Sequence, residues 1–277
     1  MTYLTAFLLG LIQGVAEFLP ISSSGHLAIA QNLLGMSEAG SVPEFFDVLL
    51  HLGTLVAVFA AYWHEICDMV VELFRGIGDL VHRTTPTPVP PARRLILLII
   101  VGTLPLFAVL PIRKAVQSLS DNMFFVGGAL IFTGLLLFVC DGVRKGRKTE
   151  RSATWLDALL VGMGQALATL PGVSRSGMTI TAGCFVGYER QFAVRFSFLL
   201  SIPAVLGANI LSIGDAVAAG INAAEVPMYL VGVVTAAVVG YLCIRLLKYV
   251  ASKGRFGAFA YYCWAVGVLT LVLQAVK

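Results

Sequence analysis

Charge is what this chain has least of. Asp, Glu, Lys and Arg together make up 12% of its 277 residues, where an ordinary soluble domain carries about a quarter. That scarcity excludes a disordered chain, a nucleic-acid binder with a basic surface, and nearly every kind of soluble enzyme. Cysteine is sparse and odd in number. Cys67, Cys140, Cys184, Cys243 and Cys263 are scattered with no C-x-x-C spacing, which argues against a thiolate metal centre or a disulfide framework and leaves small apolar packing residues. No basic region precedes the first apolar run, and Gln13 and Glu17 interrupt that run, so a cleavable signal peptide is not expected.

What the chain has in abundance is apolar sequence: 58% of it is hydrophobic, with a mean hydropathy of +0.89. The fold class this implies is an all-α polytopic membrane protein. The 28 glycines suit close helix approach and backbone breaks in a bilayer. Single spans are expected at 44–63, 93–111, 121–141, 192–213, 226–247 and 256–276. Two further apolar stretches, 4–36 and 154–187, are broken midway, one by Leu19-Pro20-Ile21-Ser22-Ser23-Ser24-Gly25-His26 and the other by Leu170-Pro171-Gly172-Val173-Ser174-Arg175-Ser176-Gly177. Each is too long for one span and too short for two, so each reads as a helix, a turn inside the membrane and a returning helix. Irregular backbone at that depth must be buried in protein or line a wet cavity.

The two broken stretches resemble each other. At an offset of 152, Gly10, Gln13, Ala16, Ser22, Ser24 and Gly25 meet Gly162, Gln165, Ala168, Ser174, Ser176 and Gly177. A hairpin and three spans follow in each case. The expected organisation is a first repeat over 1–141, a basic cytoplasmic linker over 142–153, and a second repeat over 154–277. Three spans separate the hairpins, so the repeats are inverted and the hairpins enter from opposite faces to meet near the midplane. That architecture places a polar site inside the membrane. Counting Lys and Arg sets the orientation. Segments 64–94, 141–153 and 245–256 carry thirteen, against two (Arg113 and Lys114) in 37–44, 112–120 and 214–225. Both termini are therefore expected on the outer, periplasmic side of a bacterial inner membrane. The Pro-rich stretch from Thr84 to Pro91 reads as a linker, and 65–82 as a helix lying along the interface.

Chemistry concentrates at the two breaks. Gln13 and Glu17 stand at i and i+4 on one helical face, and a carboxylate in an apolar run faces a cavity, a partner or an ion unless it serves helix packing. Ser22, Ser23, Ser24 and Gly25 offer hydroxyls and backbone amides at a helix start, which together can cradle an anion. His26 can exchange a proton near neutral pH, or simply be a hydrogen-bonded histidine in a serine-capped kink. Arg175 is costly at membrane depth unless paired, and its fork suits a phosphate or a carboxylate, Glu17 among them. Ser174, Ser176 and Thr179 could add donors. Asp47 and His51 share a helical face, with packing or pocket lining as their expected role. Ser197, Ser201 and Asn209 are expected to bridge helices, and Glu189 and Arg190 to be solvated.

The segments from Glu17 to His26 and from Pro171 to Thr179 closely resemble the two signature motifs of the bacterial undecaprenyl pyrophosphate phosphatases of the bacitracin-resistance type. The resemblance extends to length, span layout and the stretch from Phe196-Ser197-Phe198 to Ile202-Pro203. It implies an integral membrane enzyme that removes the terminal phosphate of undecaprenyl pyrophosphate, recycling the cell-wall lipid carrier, with Mg2+ or Ca2+ as cofactor. Family roles map onto Glu17, Ser23, His26 and Arg175. Gln13, Ser22, Ser24, Gly25, Ser174, Ser176 and Thr179 would line the substrate site, and Glu17 would hold the metal. Gln13 stands where some members have Glu, which weakens a two-carboxylate metal site; Ser24 stands where many have Thr and keeps the hydroxyl. The expected chemistry is phosphoryl transfer. Arg175, loop amides and a cation neutralise charge, Ser23 attacks, His26 serves as general base or acid, and Glu17 orients His26 or binds the metal. A His26 nucleophile and direct attack by water stay open. So does a rival class, a transporter or flippase for a phosphorylated polyprenyl lipid or another anion. No nucleic-acid partner is expected, and a homodimer is left open.

Overall fold

A computed structural model describes residues 1–33, 44–84, 86, 88–218, 223–253 and 255–276. Among these the chain is helical throughout, and its one β feature is an isolated bridge between Lys148 and Tyr188. The first broken stretch forms α1 (Tyr3–Phe18) and α2 (Ser23–Leu33). Leu19 ends α1 in an extended conformation because Pro20 follows it and disfavours helical backbone at the preceding residue. Then come α3 (Glu44–Ala61), α4 (Trp63–His82), α5 (Pro91–Thr103), α6 (Arg113–Gln117) and α7 (Met123–Gly142). The second broken stretch forms α8 (Trp155–Leu167) and α9 (Arg175–Phe185), followed by α10 (Arg190–Ala218), α11 (Val226–Lys253) and α12 (Gly257–Val276). Residues 34–36 of the first hairpin and parts of the expected loops 37–44 and 214–225 lie outside the described residues.

Among the described residues five helices are long and apolar enough to cross a membrane, and a sixth candidate is α3 taken with α4, which bend by 85° at Tyr62. At that bend Lys248 of α11 donates to the carbonyl of Ala61 at 3.1 Å and lies 3.7 Å from the Tyr62 ring, so a cation closes the negative end of α3. Beyond the bend α4 is amphipathic. Val70, Phe74, Ile77 and Val81 are exposed, while Glu72 and Asp79 pair with Arg93 of α5 at 3.1 and 2.7 Å.

The structure adds detail at two connecting segments and corrects one expectation. Residues 112–120 are not an open loop: helical turns run from Pro91 to Asp121, tightening to 3-10 geometry at Leu104–Ala108 and Leu110–Ile112, where Pro105 and Pro111 lack the amide an α-helix needs. The basic linker 142–153 is docked rather than loose, because Lys148 bonds both carboxylate oxygens of Asp157 and Arg195 pairs with Glu150. Arg190 is buried, not solvated. It reaches Asp141, whose carboxylate also accepts from the amides of Phe256 and Gly257 and so caps α12.

Glycines set the close crossings. A Cβ on Gly10 would stand 2.4 Å from the carbonyl of Gly232, and one on Gly14 2.9 Å from that of Ala236, so α1 and α11 run in the same direction at backbone contact. Gly53 meets Val233, and Gly240 meets Ala57, so α3 runs parallel to α11 as well. A Cβ on Gly162 of α8 would stand 2.2 Å from the carbonyl of Gly102 in α5. Gly127 meets Gly267 and Gly134 meets Ala260, which makes α7 and α12 antiparallel. A core of Phe18, Tyr62, Tyr188, Phe196, Phe198 and Phe256 fills the space beneath the two hairpin breaks, with Phe18 edge-on to Phe198 at 5.5 Å.

Candidate active site

The two breaks touch. The amide of Gly172 donates to Ser24 Oγ at 3.3 Å, and Ser176 Oγ donates to the carbonyl of Leu19 at 3.4 Å. A Cβ on Gly25 would stand 3.1 Å from Gly172, and one on Gly177 3.4 Å from Pro20. Each break is also pinned by a long helix. Thr133 of α7 donates to the Gly172 carbonyl at 3.4 Å and accepts from the Ser174 amide at 3.1 Å. Cys263 of α12 donates to the Pro20 carbonyl at 3.8 Å. Within each break a serine caps the next helix: Ser22 Oγ accepts from Gly25 N at 3.2 Å, and Ser174 Oγ from Gly177 N at 3.1 Å. Ser22 does so at φ +75°, a left-handed conformation rare for a residue with a side chain and a form of strain that collects at functional sites.

This local bonding is why helices α2 and α9 both begin at the point of contact, with their positive ends converging there. Glu17, on the last turn of α1, lies between them and is buried. Its Oε1 pairs with the Arg175 guanidinium across the two hairpins. Its Oε2 accepts from Ser23 Oγ at 2.6 Å and from Gln13 Nε2 at 3.1 Å, and lies 4.0 Å from His51 Nε2 of α3. Arg175 and His51 stay partly exposed, at 21% and 34% of their side-chain surfaces, so the cluster can be reached from outside.

The structure thus brings together four of the residues expected from sequence, Gln13, Glu17, Ser23 and Arg175. It does not bring His26 to Glu17. The Nδ1–H of His26 donates to the Ser22 carbonyl at 2.8 Å, which leaves Nε2 to accept from Tyr262 O–H at 2.9 Å, with the two rings stacked. A glutamate that orients His26 is therefore corrected to a glutamate that holds Ser23. Of the loop amides, those of Gly25, Gly172, Ser174 and Gly177 are spent on hydroxyls. Ser22, Ser174 and Ser176 are buried struts between the breaks, Gly25 is a contact point, and Ser24 is the exposed serine of the set. Thr179 Oγ1 donates to the Arg175 carbonyl at 2.8 Å and shares a 2.6 Å hydrogen bond with Ser197, so it anchors the arginine's helix. Ser197 bridges helices as expected, whereas Ser201 bonds its own helix at Phe198.

Two contributors escaped the sequence reading. His51 carried a partial signal, its i, i+4 spacing from Asp47 in a span, but nothing tied it to Glu17. Tyr262 carried none, lying in the last span as one aromatic among many. Among the described residues no group of three or more His, Cys, Asp and Glu forms a metal cluster. One atom beside Glu17 is nevertheless suited to a cation: Gln13 Oε1 is buried with no hydrogen-bond partner.

Fold and site together define a multi-pass helical membrane protein whose polar centre is built where two broken hairpins meet. The family model described as bacitracin resistance protein BacA matches residues 6–269, and the chain belongs to that family. A protein of Desulfatibacillum aliphaticivorans named undecaprenyl-diphosphatase is 41% identical over the whole of both chains. Proteins of the same name from Methanosphaera stadtmanae and Desulforapulum autotrophicum are 38% and 41% identical; the first alignment covers 99% of this chain and 98% of the relative, the second 95% of each.

Proposed function

We infer that this protein is an undecaprenyl-diphosphatase, a membrane hydrolase that takes undecaprenyl pyrophosphate to undecaprenyl phosphate and phosphate, returning the lipid carrier to cell-wall synthesis and supporting bacitracin resistance. One observation carries the reading. Arginine, carboxylate and a short-bonded serine meet at two helix N-termini, in a chain that matches relatives of that name along nearly its whole length.

The cluster suits phosphoryl transfer from an anhydride. Arg175, which holds Glu17 when no phosphate is present, offers its fork to the terminal phosphate, and the helix ends beside it add positive potential. Glu17 Oε2, already bonded to Ser23 Oγ at 2.6 Å, is placed to take the Ser23 proton. Ser23 Oγ then attacks the terminal phosphorus, the bridging P–O bond breaks toward undecaprenyl phosphate, and water later frees the phosphate from the serine. His26 holds the strained Ser22 carbonyl and so fixes the turn that presents Ser23. A divalent cation fits the donor chemistry: the Glu17 carboxylate and the orphaned Gln13 oxygen would hold it, and when bound it supplies charge neutralisation at the phosphates. Beside the second break, Val173, Met178, Phe124 and Phe132 line an apolar surface cleft of about 490 Å3 that suits a prenyl chain.

Inverted repeats are part of this reading. Counterparts at the hairpin offset of 152 make like contacts. The pair Gly10–Gly232 is matched by Gly162–Gly102, and Thr133 on Gly172 by Cys263 on Pro20. The parallel and antiparallel helix pairs agree with opposite entry of the hairpins. Outward placement of both termini and of the site belongs to the same reading, resting on the charge count. A transporter or flippase could share the frame, but the names of the relatives and the Ser23–Glu17 bond favour hydrolysis. Pure protein in detergent, where transport is impossible, is expected to release phosphate from undecaprenyl pyrophosphate and to stop in excess chelator. Absence of release sinks the hydrolase, and full release in chelator removes the cation.

A further inference from the structure

His51 lies outside both motifs, and its sequence reading gave it a packing or pocket-lining role. Its ring is fixed. Nδ1 is 2.8 Å from the carbonyl oxygen of Asp47 one turn earlier, and a carbonyl can only accept. Nδ1 therefore carries the hydrogen, and the lone pair of the neutral ring sits on Nε2. That atom faces Glu17 Oε2 at 4.0 Å. A lone pair aimed at a carboxylate oxygen is an unfavourable neighbour unless a proton or a metal ion lies between them. An imidazole tied through one nitrogen to a backbone carbonyl, with the other presented to an acidic site, is the usual arrangement of a metal-ligating histidine.

Gln13 supplies an independent sign. Its Nε2 donates to the same carboxylate at 3.1 Å, and its Oε1 is buried without a donor. Spacing agrees as well. Ligands held about 2.1 Å from an ion stand roughly 3 Å apart when adjacent and about 4 Å apart when opposite. Three cations on the helices packed against α3 are engaged elsewhere: Lys248 with Ala61, Arg195 with Glu150, and Arg190 with Asp141.

We propose that His51 Nε2 is a ligand of the divalent cation held at Glu17, completing with Gln13 Oε1 a mixed oxygen and nitrogen set whose remaining positions go to phosphate oxygens. This rests on the cation being part of the reaction. A nitrogen in the set favours a first-row transition ion such as Mn2+ over Ca2+, which takes oxygen ligands.

Mn2+ is its own spectroscopic probe. Purified protein titrated with Mn2+, with and without inorganic pyrophosphate, is followed by electron paramagnetic resonance, and pulsed spectra are searched for coupling to the 14N of imidazole. The parent and a His64→Gln control are expected to show the coupling. His51→Gln is expected to lose it, and His51→Leu to bind Mn2+ at least tenfold more weakly, each variant eluting from a sizing column as the parent does. Mn2+ bound without nitrogen coupling overturns the proposal, as does coupling that survives in His51→Gln or a parent that binds no Mn2+. The underlying reading is judged separately by phosphate release in chelator. An enzyme that needs a cation but shows no nitrogen coupling keeps its cation and loses only this ligand.

Discussion

At Glu17 a single carboxylate receives the Ser23 hydroxyl, the Gln13 amide and the Arg175 guanidinium, so each substitution there has a distinct expected cost. Glu17→Gln leaves a neutral group facing Arg175 and is expected to abolish turnover with folding intact. Ser23 is the more informative residue. If it attacks phosphorus, Ser23→Ala loses orders of magnitude in kcat, because no group replaces the bond-forming oxygen. If it only donates to phosphate, the loss is nearer the roughly 10- to 200-fold of a charged hydrogen bond worth ~1.5–3 kcal/mol. Acid-quenched single turnovers with labelled substrate, followed by peptide mapping, separate the cases. Label on Ser23 is the expected result, label on His26 would move the nucleophile there, and an unlabelled protein whose Ser23→Ala variant works within tenfold of the parent points to water. Arg175→Lys is expected to fail in the same assay, since a point charge cannot replace a fork.

Helix pairs in this protein meet backbone to backbone, and the glycines at the crossings are the exposed risk. Gly162 and Gly102 illustrate the point: a side chain on Gly162 has no room against a carbonyl, and a carbonyl cannot turn aside as a flexible side chain does. Gly162→Val is expected to push α8 from α5 at a cost of about 1–3 kcal/mol, read as a lower unfolding temperature in detergent. Gly128, on α7 with nothing near its missing Cβ, is the matched control. Gly128→Val is expected to melt within a degree or so of the parent, helix propensity alone favouring the change. Equal melting of the Gly162 and Gly128 variants would show that the close crossing is not what holds these helices.

Sidedness belongs to the whole molecule and follows from the distribution of thirteen basic residues against two. Single cysteines at Ser41 and at Asn222, in a background without native cysteine, are expected to react with an impermeant thiol reagent added to intact cells. One at Thr87 is expected to stay silent until the membrane is opened. Reaction at 87 with silence at 41 and 222 would reverse the orientation and carry the inferred site to the other face. Helix directions give that experiment its leverage: α1, α3 and α11 run parallel and α7 and α12 antiparallel, so fixing the side of one end fixes the others.

The sequence by itself determined the helical membrane class and the two helix breaks, because a bilayer imposes length and hydropathy on each segment separately. It also singled out Glu17, Ser23 and Arg175, since polar groups in apolar runs are conspicuous. What only the tertiary structure decided was which polar groups meet. His26 is three residues from Ser23 in sequence yet turns to Tyr262, while His51, far along the chain, comes to Glu17. Helix rotation and the crossings of α1 with α3 and α11 set those distances. They depend on glycine contacts between segments far apart in the chain, such as Gly10 with Gly232 and Gly53 with Val233, which no local pattern encodes.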